Sequence, residues 1–461
     1  MIKYLCFLLG ISITLCFNPL PDKNGKLNSN YSHKSTNNLY FVFEHFRHGA
    51  RSTCNGKFVN HKDELGGIWK NFGSLTQVGI KQHYLLGKKL RKYYDNFISK
   101  EYNPNEIKIY SSNYNRTIMS AQSQLLGFYD NYDLESKIKN DDIINEDNIQ
   151  NNFELNNIIP PILLFDNKYD ITFTEKFRCK LPKTMVKKNI KYIETLKSFD
   201  KLNDIRNRFN NKYMDIISNE FKAINYTNNF FGMYKFCDMF IAFFFDNGVN
   251  KKKINDIEKK HKIFNTSEIL DICYDYFHEK FFKVEGEEFA ENSSKIIMSR
   301  ILMKLLNAMK ERVEINDQNY ISPKSPKMVF YSGHDDTLTQ LQLFLNKYFK
   351  INTEWVPYAS NQIFELRKYG DTFYVELYYN DRLKMNITFN QFSKRINQYT
   401  LPNFHINYLC YGFRNTIYYN KIFILYILLI ILLFFYIATK IIIYIRIDDY
   451  ADKSSNNSLM S

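Results

Sequence analysis

Three segments of the chain share one pattern, in which an apolar run leads into a polar turn and then into apolar residues at helical spacing. They are FVFEHFRHGAR at 41–51, IKIYSSNYNRTIMSA at 107–121 and MVFYSGHDDTL at 328–338. Continuous apolar runs are typical of strands that are buried on both faces. The pattern therefore predicts an α/β core in which strands, turns and helices alternate.

Two further segments extend this core. LTQVGIKQHYLLGKKLRKYYDNFI at 75–98 predicts a helix, because its apolar residues recur at helical spacing. FELRKYGDTFYVELYYND at 364–381 predicts a β-hairpin that bends at Gly370 and Asp371.

A long middle region has a different character. From about residue 130 to residue 307 strand patterns are sparse, and helical stretches rich in lysine and asparagine dominate. One apolar helix face in this region is formed by Ile296, Ile297, Ile301, Leu302, Leu305 and Leu306. We therefore predict an α/β domain over 38–415, with a mostly parallel mixed sheet flanked by helices and a mainly α-helical lobe inserted at about 130–307.

Both ends of the chain are apolar. Residues 1–17 combine one lysine with an apolar run too short to span a bilayer comfortably, which predicts a secretory signal peptide, with a retained signal anchor as the alternative. Residues 422–445 are apolar apart from Lys440 and predict a transmembrane helix. Cleavage of the signal would place the body in a lumen or outside the cell and the tail at 446–461 in the cytosol.

The formal charge of +14 is strongly basic. The lysines are dispersed among asparagines and form no dense stripe, so a solvated basic surface is favoured over nucleic-acid binding. The sequence carries no signal for an oligomeric state.

Cysteines and glycosylation sequons fit a lumenal body. The cysteines beyond the signal are Cys54, Cys179, Cys237, Cys273 and Cys410. An odd number allows at most two disulfides and leaves one free thiol. Cys237–Cys273 and Cys179–Cys410 are candidate pairs, but sequence alone does not fix the connectivity. The usable sequons are at Asn30, Asn225, Asn265, Asn292 and Asn386.

The turns of the three strand–turn–helix segments carry the candidate chemistry. Ligands of open α/β sheets bind at the carboxyl ends of strands, where helix N-termini attract anions. If the turns converge, one pocket gathers Arg47, His48, Arg51, Arg116, His334 and Asp335. Guanidiniums packed together are costly without an anion, and their forked donors match phosphate oxygens. The sequence therefore predicts a phosphate-binding pocket.

These segments resemble a known family. RHGAR at 47–51 resembles the signature of the histidine phosphatase superfamily, and GHD at 333–335 resembles that of its second branch, the histidine acid phosphatases, which includes lysosomal and prostatic-type acid phosphatases and phytases. Three more elements match in family order: the Leu-Thr-x-x-Gly-x-x-Gln helix from residue 75, SSNYNRTIMSA at 111–121 and PYASNQIFEL at 357–366. The resemblance spans 39–380, and the helical lobe is its poorly matching part.

The resemblance implies a mechanism that needs no metal or other cofactor. His48 would attack phosphorus and become phosphohistidine, and Asp335 would protonate the leaving alcohol. The phosphoryl oxygens would be held by Arg47, Arg51, Arg116 and His334. The implied protein is a membrane-anchored acid phosphatase acting on phosphomonoesters, in a lysosome-like lumen or at the cell surface. An inositol-polyphosphate phosphatase and a catalytically silent surface receptor are the alternatives.

Four neighbouring residues have structural interpretations. Asp336 is expected to cap its helix. Gly49 is expected to remove a side chain where the backbone approaches the anion. Glu44 and His45 are expected to be structural or rim residues. Asn113 stands where many family members carry Asp, so a carboxylate near the pocket is missing.

Overall fold

The computed structural model describes residues 36–54, 72–129, 160–164, 197–221, 230–245, 249–322, 324–410 and 421–457. The predicted signal peptide, Cys179 and the sequons at Asn30 and Asn225 lie outside these residues. The chain divides into two compact units, Met1–Arg178 with Pro182–Leu401, and Cys179–Leu181 with Pro402–Ser461.

A mixed sheet of seven strands forms the centre of the larger unit, in the order β3-β2-β4-β1-β5-β6-β7. The strands are β1 Leu39–Arg47, β2 Ile107–Ser111, β3 Ile162–Leu164, β4 Met328–Gly333, β5 Asn361–Tyr369, β6 Thr372–Tyr379 and β7 Arg382–Thr388. Strands β1 to β4 pair in parallel, whereas β5, β6 and β7 join antiparallel. The predicted mixed sheet is confirmed, and its parallel half carries all three strand–turn–helix segments.

Strand β1 lies at the middle of the sheet. Every residue from Phe41 to Arg47 is buried, as its unbroken apolar run predicted. It pairs with β4 in parallel and with β5 antiparallel, so both of its edges are covered. The predicted hairpin is also present: β5 and β6 are joined at Gly370, whose φ of 57° suits a residue without a side chain.

The named helices are α1 Gln77–Tyr93, α2 Asn115–Phe128, α3 Lys197–Phe221, α4 Phe230–Phe244, α5 Val249–Lys260, α6 Thr266–His278, α7 Glu285–Ile315, α8 Asp335–Phe349, α9 Phe389–Tyr399 and α10 Lys421–Asn457. Five of them cover the two faces of the sheet. Helices α1 and α2 pack on one face around Phe46 and Leu90. Helices α7, α8 and α9 pack on the other face, where Phe43 contacts the apolar stripe predicted for α7. The strand ends that carry the candidate chemistry are thereby held between two helical layers.

Helices α3 to α6 form the core of the predicted lobe. Their buried side chains build one apolar cluster that includes Phe209, Tyr213 and Phe240. Cys237 on α4 and Cys273 on α6 form a disulfide, with their Cα atoms 5.2 Å apart, which confirms the first candidate pair. Cys410 is also in a disulfide, and Cys54 is free and exposed. The helical character of the lobe is confirmed, while its exact boundaries stay a prediction.

The second unit ends in helix α10. Within it, Leu425–Tyr444 form a stretch of 20 residues with a mean hydropathy of 2.6, long and apolar enough to cross a membrane. The helix continues to Asn457, so the predicted tail begins in helical conformation.

Candidate active site

The three predicted turns meet at one edge of the sheet. In the parallel register Arg47 of β1 is level with Gly333 of β4, and Ser111 of β2 is level with Ser332 of β4. The three strands therefore end together, and helices α2 and α8 begin within a few residues of those ends. The carboxyl edge of the parallel strands is thus where the candidate residues converge.

The turn after β1 packs directly on helix α1. A Cβ atom at Gly49 would lie 2.5 Å from the carbonyl oxygen of Gly79, and one at Gly79 would lie 2.2 Å from that of Ala50. Two backbones meet here, so neither position has room for a side chain. Gly49 is therefore needed for contact with α1, and its expected approach to an anion stays a prediction.

Other motif residues hold the same turn by hydrogen bonds. The N–H of Gly49 donates to Ser120 Oγ at 3.1 Å, and that of Ala50 donates to Gln82 Oε1 at 2.8 Å. Thr76 caps α1 and also binds the carbonyl oxygen of Ala50 through its hydroxyl. Motif positions far apart in the sequence therefore fix one loop, the loop that carries His48.

His48 presents a neutral imidazole to the pocket. Its Nδ1 lies 2.8 Å from the carbonyl oxygen of Gly49, and because a carbonyl only accepts, Nδ1 carries the proton. Nε2 is then the nitrogen with the free lone pair. Burial, followed by the charges of Arg116 and Arg47, holds the pKa of His48 well below its ordinary value. The imidazole therefore stays neutral even in an acidic medium, with its lone pair on Nε2.

Arg47 is clamped by groups on both sides. Its Nη1 donates to the carbonyl oxygen of Val356, and its Nη2 lies 2.8 Å from Asp335 Oδ2. The guanidinium carbon lies 4.4 Å from the ring centroid of Tyr358 and 5.8 Å from that of Trp355. Ionic, hydrogen-bonding and cation–π contacts together fix its direction.

Arg116 and His334 contact each other. Arg116 Nη2 lies 3.2 Å from His334 Nδ1, and His334 Nε2 lies 2.9 Å from Ser112 Oγ. Because arginine only donates, Nδ1 accepts and Nε2 carries the proton. The rings of His48 and His334 lie 5.5 Å apart, edge to face. His334 thus lies beside His48, with both ring nitrogens already engaged.

Asp335 is the acidic group of the pocket. Burial raises its pKa, but Arg47, Arg51 and His334 outweigh that effect and hold the pKa at about 2. Helix α8 begins at this residue, so its N-cap is His334. The expectation that Asp336 is the cap is therefore wrong: Asp336 lies in the first turn of the helix, where its Oδ1 accepts from the N–H of Thr337.

The three arginines of the pocket have hydrogen-bond donors available for a ligand. Within the described part of the chain, the Nε–H groups of Arg47, Arg51 and Arg116 are buried and lack a hydrogen-bond partner. Buried donors that stay unpaired are costly, so their presence on three neighbouring cations indicates a site built for an anion.

A chain of buried polar groups supports β1 from behind. His83 Nε2 lies 3.1 Å from the carbonyl oxygen of Arg47, and His83 Nδ1 lies 3.0 Å from Gln124 Oε1. Gln124 Nε2 and Asn361 Nδ2 both donate to the carboxylate of Glu44. Burial raises the pKa of Glu44 to about 7, partly offset by these two amides. The structural role expected for Glu44 agrees with these contacts, and His83 belongs to the same network.

All six predicted residues lie in one region, but the sequence missed several of their partners. Asp238 of α4 pairs with Arg51, their closest atoms 2.7 Å apart. The Tyr358 ring lies 5.9 Å from that of His48. Tyr358 lies inside a motif already noted, which could have signalled it. Asp238 lies in the poorly matching lobe, where only its place beside Cys237 marks it.

Comparison with known proteins agrees with this geometry. The family model described as "Histidine phosphatase superfamily (branch 2)" matches residues 25–380. The chain belongs to this superfamily. It is 24% identical to the prostatic acid phosphatase of Bos taurus over 385 residues, covering 82% of this chain and 84% of that protein. It is also 24% identical to the lysosomal acid phosphatase of Rattus norvegicus, covering 75% and 71% of the two chains.

Shorter and more distant likenesses complete the comparison. A stretch of 93 residues is 43% identical to the lysosomal acid phosphatase of Xenopus laevis and spans 20% of this chain and 21% of that protein. Among solved structures, the phytase of Klebsiella sp. ASR1 has a TM-score of 0.51 at 12% identity, covering 79% of this chain and 96% of its own. Hafnia alvei phytase has a TM-score of 0.52 at 12% identity, covering 79% and 98%. At this identity the structural likeness establishes the fold of this histidine phosphatase.

Proposed function

We propose that this chain is a membrane-anchored acid phosphatase that hydrolyses phosphomonoesters through a phosphohistidine at His48. The observation that carries the proposal is the protonation of His48 Nδ1, fixed by the carbonyl oxygen of Gly49 at 2.8 Å, which leaves the Nε2 lone pair for attack. The lysosomal and prostatic acid phosphatases among its relatives support the reaction class.

The reaction has two steps. In the first, the Nε2 lone pair of His48 attacks phosphorus, the bond from phosphorus to the ester oxygen breaks, and Asp335 gives a proton to the departing oxygen. In the second, water attacks the phosphohistidine, its proton passes to the Asp335 carboxylate, and phosphate leaves. Arg47, the residue before His48, holds Asp335 in the pocket, with Nη2 2.8 Å from Oδ2.

The arginines supply the electrostatic part of catalysis. Charge in the transition state spreads over three phosphoryl oxygens, and the unpaired Nε–H donors of Arg47, Arg51 and Arg116 are available to bind them. His334 holds Arg116 in place and contacts the phosphoryl group after a small rearrangement of that pair. Fixed guanidiniums take the place that metal ions have in other phosphatases, so chelation by EDTA should leave the rate unchanged.

The acid–base groups of the pocket predict a higher activity at acidic pH. At rest the low pKa of Asp335, about 2, leaves it ionised. The phosphate group of a phosphomonoester has a second pKa of roughly 6, so below that pH the substrate binds with one proton on its phosphate. The negative charge that remains on the phosphate also offsets the positive charge of the arginines. Since protonated Asp335 is needed for the first step, kcat/KM should fall as pH rises from 5 to 8.

The decisive experiment is hydrolysis of p-nitrophenyl phosphate by the full-length protein in detergent, across pH and with EDTA. His48→Ala should abolish turnover and the acid-labile phosphoenzyme seen after rapid quenching. His261→Ala, a lobe histidine paired with Glu220, is the matched control and should retain both. A silent wild-type protein would favour the surface receptor, and a strong preference for inositol hexakisphosphate would favour the phytase-like alternative.

A further inference from the structure

The hydrogen-bond donors of Arg51 are divided between two directions. Nη1 donates to the carbonyl oxygen of Ser52 at 3.1 Å and lies 3.5 Å from Asp238 Oδ2, and Nη2 donates to Asp238 Oδ1 at 2.7 Å. A guanidinium has five N–H donors. These contacts use three of them and leave Nε–H and one N–H of Nη2.

The two remaining donors point the same way. Nε–H and the outer N–H of Nη2 lie on one edge of the planar guanidinium, and the Nε–H has no partner within the described residues. Two parallel N–H groups on one edge are the arrangement that binds two oxygens of a phosphate. Asp238 therefore binds the Arg51 guanidinium at its Nη1 and Nη2 end and leaves the Nε edge available to bind phosphate.

Asp238 is itself held firmly. It follows Cys237 on α4, and the Cys237–Cys273 disulfide joins α4 to α6. Only 12% of the Asp238 side chain and 8% of the Arg51 side chain are exposed, so solvent screens the pair weakly. The carboxylate is thus a fixed point supplied by the helical lobe to a residue of the turn after β1.

We propose that Asp238 is a positioning residue, which orients Arg51 so that its Nε edge binds the phosphoryl group. This inference rests on the proposed phosphatase function and extends it, because it gives the helical lobe a role in phosphate binding. Without Asp238 the guanidinium loses its end-on partner and rotates among several orientations. Affinity for phosphate then falls, while His48 and Asp335 keep their own contacts.

The test is a double-mutant cycle of Asp238→Ala and Arg51→Ala in the full-length protein in detergent. Kinetics with p-nitrophenyl phosphate and calorimetric titration with inorganic phosphate are the readouts. Asp238→Ala should raise KM and the dissociation constant of phosphate together by about tenfold, with kcat changed by less than about threefold. In the Arg51→Ala background the same substitution should change neither constant, because the residue through which it acts is gone.

Two further variants keep the result interpretable. Asp238→Asn preserves shape and one acceptor oxygen, so it should fold and weaken phosphate binding by less than Asp238→Ala does. Asp204→Asn breaks an exposed Asp–Arg pair in the same lobe and should leave both constants unchanged. Unchanged phosphate affinity in both Asp238 variants would overturn the proposal, as would an equal loss in the Arg51→Ala background.

The calorimetric readout separates this inference from the proposed function. A wild-type protein that binds phosphate without hydrolysing esters would refute the phosphatase, and the cycle would still decide the role of Asp238. Turnover in the wild type with no effect of Asp238 on phosphate affinity would refute only the positioning role. A wild type that fails to bind phosphate would refute both.

Discussion

Individual residues of the pocket have different charge states because their surroundings favour different forms. Burial, and after it the cations around His48, disfavour an imidazolium and keep its lone pair available. The same cations favour a carboxylate and keep Asp335 ionised until a phosphoryl group arrives. In the proposed mechanism, the same guanidiniums therefore help to keep the nucleophile ready at all times and allow the acid to be protonated only when substrate is bound.

This division predicts that loss of the acid depends on the leaving group. Asp335→Asn should lower the rate on an alkyl ester such as β-glycerophosphate by about a hundredfold or more, because an alkoxide needs a proton to depart. On p-nitrophenyl phosphate, whose phenolate departs readily, the loss should stay within about tenfold. Asp336→Asn, at the next position, is the control and should leave both rates near wild type. Equal losses on the two esters would contradict the proton-donor role.

Glu44 behind the pocket predicts a pH-dependent stability. Burial raises its pKa from 4.5 to about 7, so the folded state prefers the protonated form. That contribution is fully present below pH 4.5 and is lost as pH rises through about 7, a change of about 3 kcal/mol. Glu44→Gln cannot titrate. Its free energy of unfolding relative to wild type, from urea denaturation, should therefore rise by about this amount between pH 5 and pH 8. Parallel pH profiles of the two proteins would refute the assignment.

At the scale of elements, the position of His48 depends on how the turn after β1 meets helix α1. The two backbones approach so closely at Gly49 and Gly79 that Cβ atoms are excluded from both. Hydrogen bonds from the N–H groups of Gly49 and Ala50 to Ser120 and Gln82 then fix the turn at this distance. The glycines and polar residues of the motifs thus act together as one joint between strand and helix.

A side chain at this joint should displace the nucleophile. Gly79→Ala places a Cβ only 2.2 Å from the carbonyl oxygen of Ala50. The clash should lower the free energy of unfolding by about 3 kcal/mol. Because the turn after β1, which carries His48, must shift, kcat/KM should fall by about a hundredfold. Gly370→Asn, in an open hairpin turn with φ of 57°, is the control and should change little. Full activity in Gly79→Ala would show that the joint is not needed.

The sequence predicted the elements of the parallel half well, because each has a strong local signal. A buried strand, a polar turn and a helical repeat lie within about a dozen residues in each segment, so Arg47, Arg116 and Asp335 could be placed without tertiary information. Asp238 could not, since its contact with Arg51 spans 187 residues and arises only from packing of the lobe. The short strand β3 was also missed, because three residues at 162–164 carry too little pattern.

At the scale of the whole molecule, the apolar helix α10 belongs to the second of the two units. The window Leu425–Tyr444 has none of its residues buried inside the protein, although its side chains are almost all large and apolar. An exposed apolar surface of this size is unfavourable in water, and the window is long enough to cross a membrane. Lys440 can extend its ammonium toward the membrane surface while its stem stays in the apolar region.

Membrane attachment should therefore depend on this window alone. In cells expressing the full chain, the protein should stay in the membrane pellet after extraction with alkaline carbonate, since a spanning helix is held by the hydrophobic effect. A chain ending at residue 420 should be released into the soluble fraction and still hydrolyse p-nitrophenyl phosphate. Leu429→Lys combined with Leu432→Lys, which places two charges in the middle of the window, should also release it. Release of the full chain by carbonate would show that it is not a spanning protein, and retention of the shortened chain would locate the anchor elsewhere.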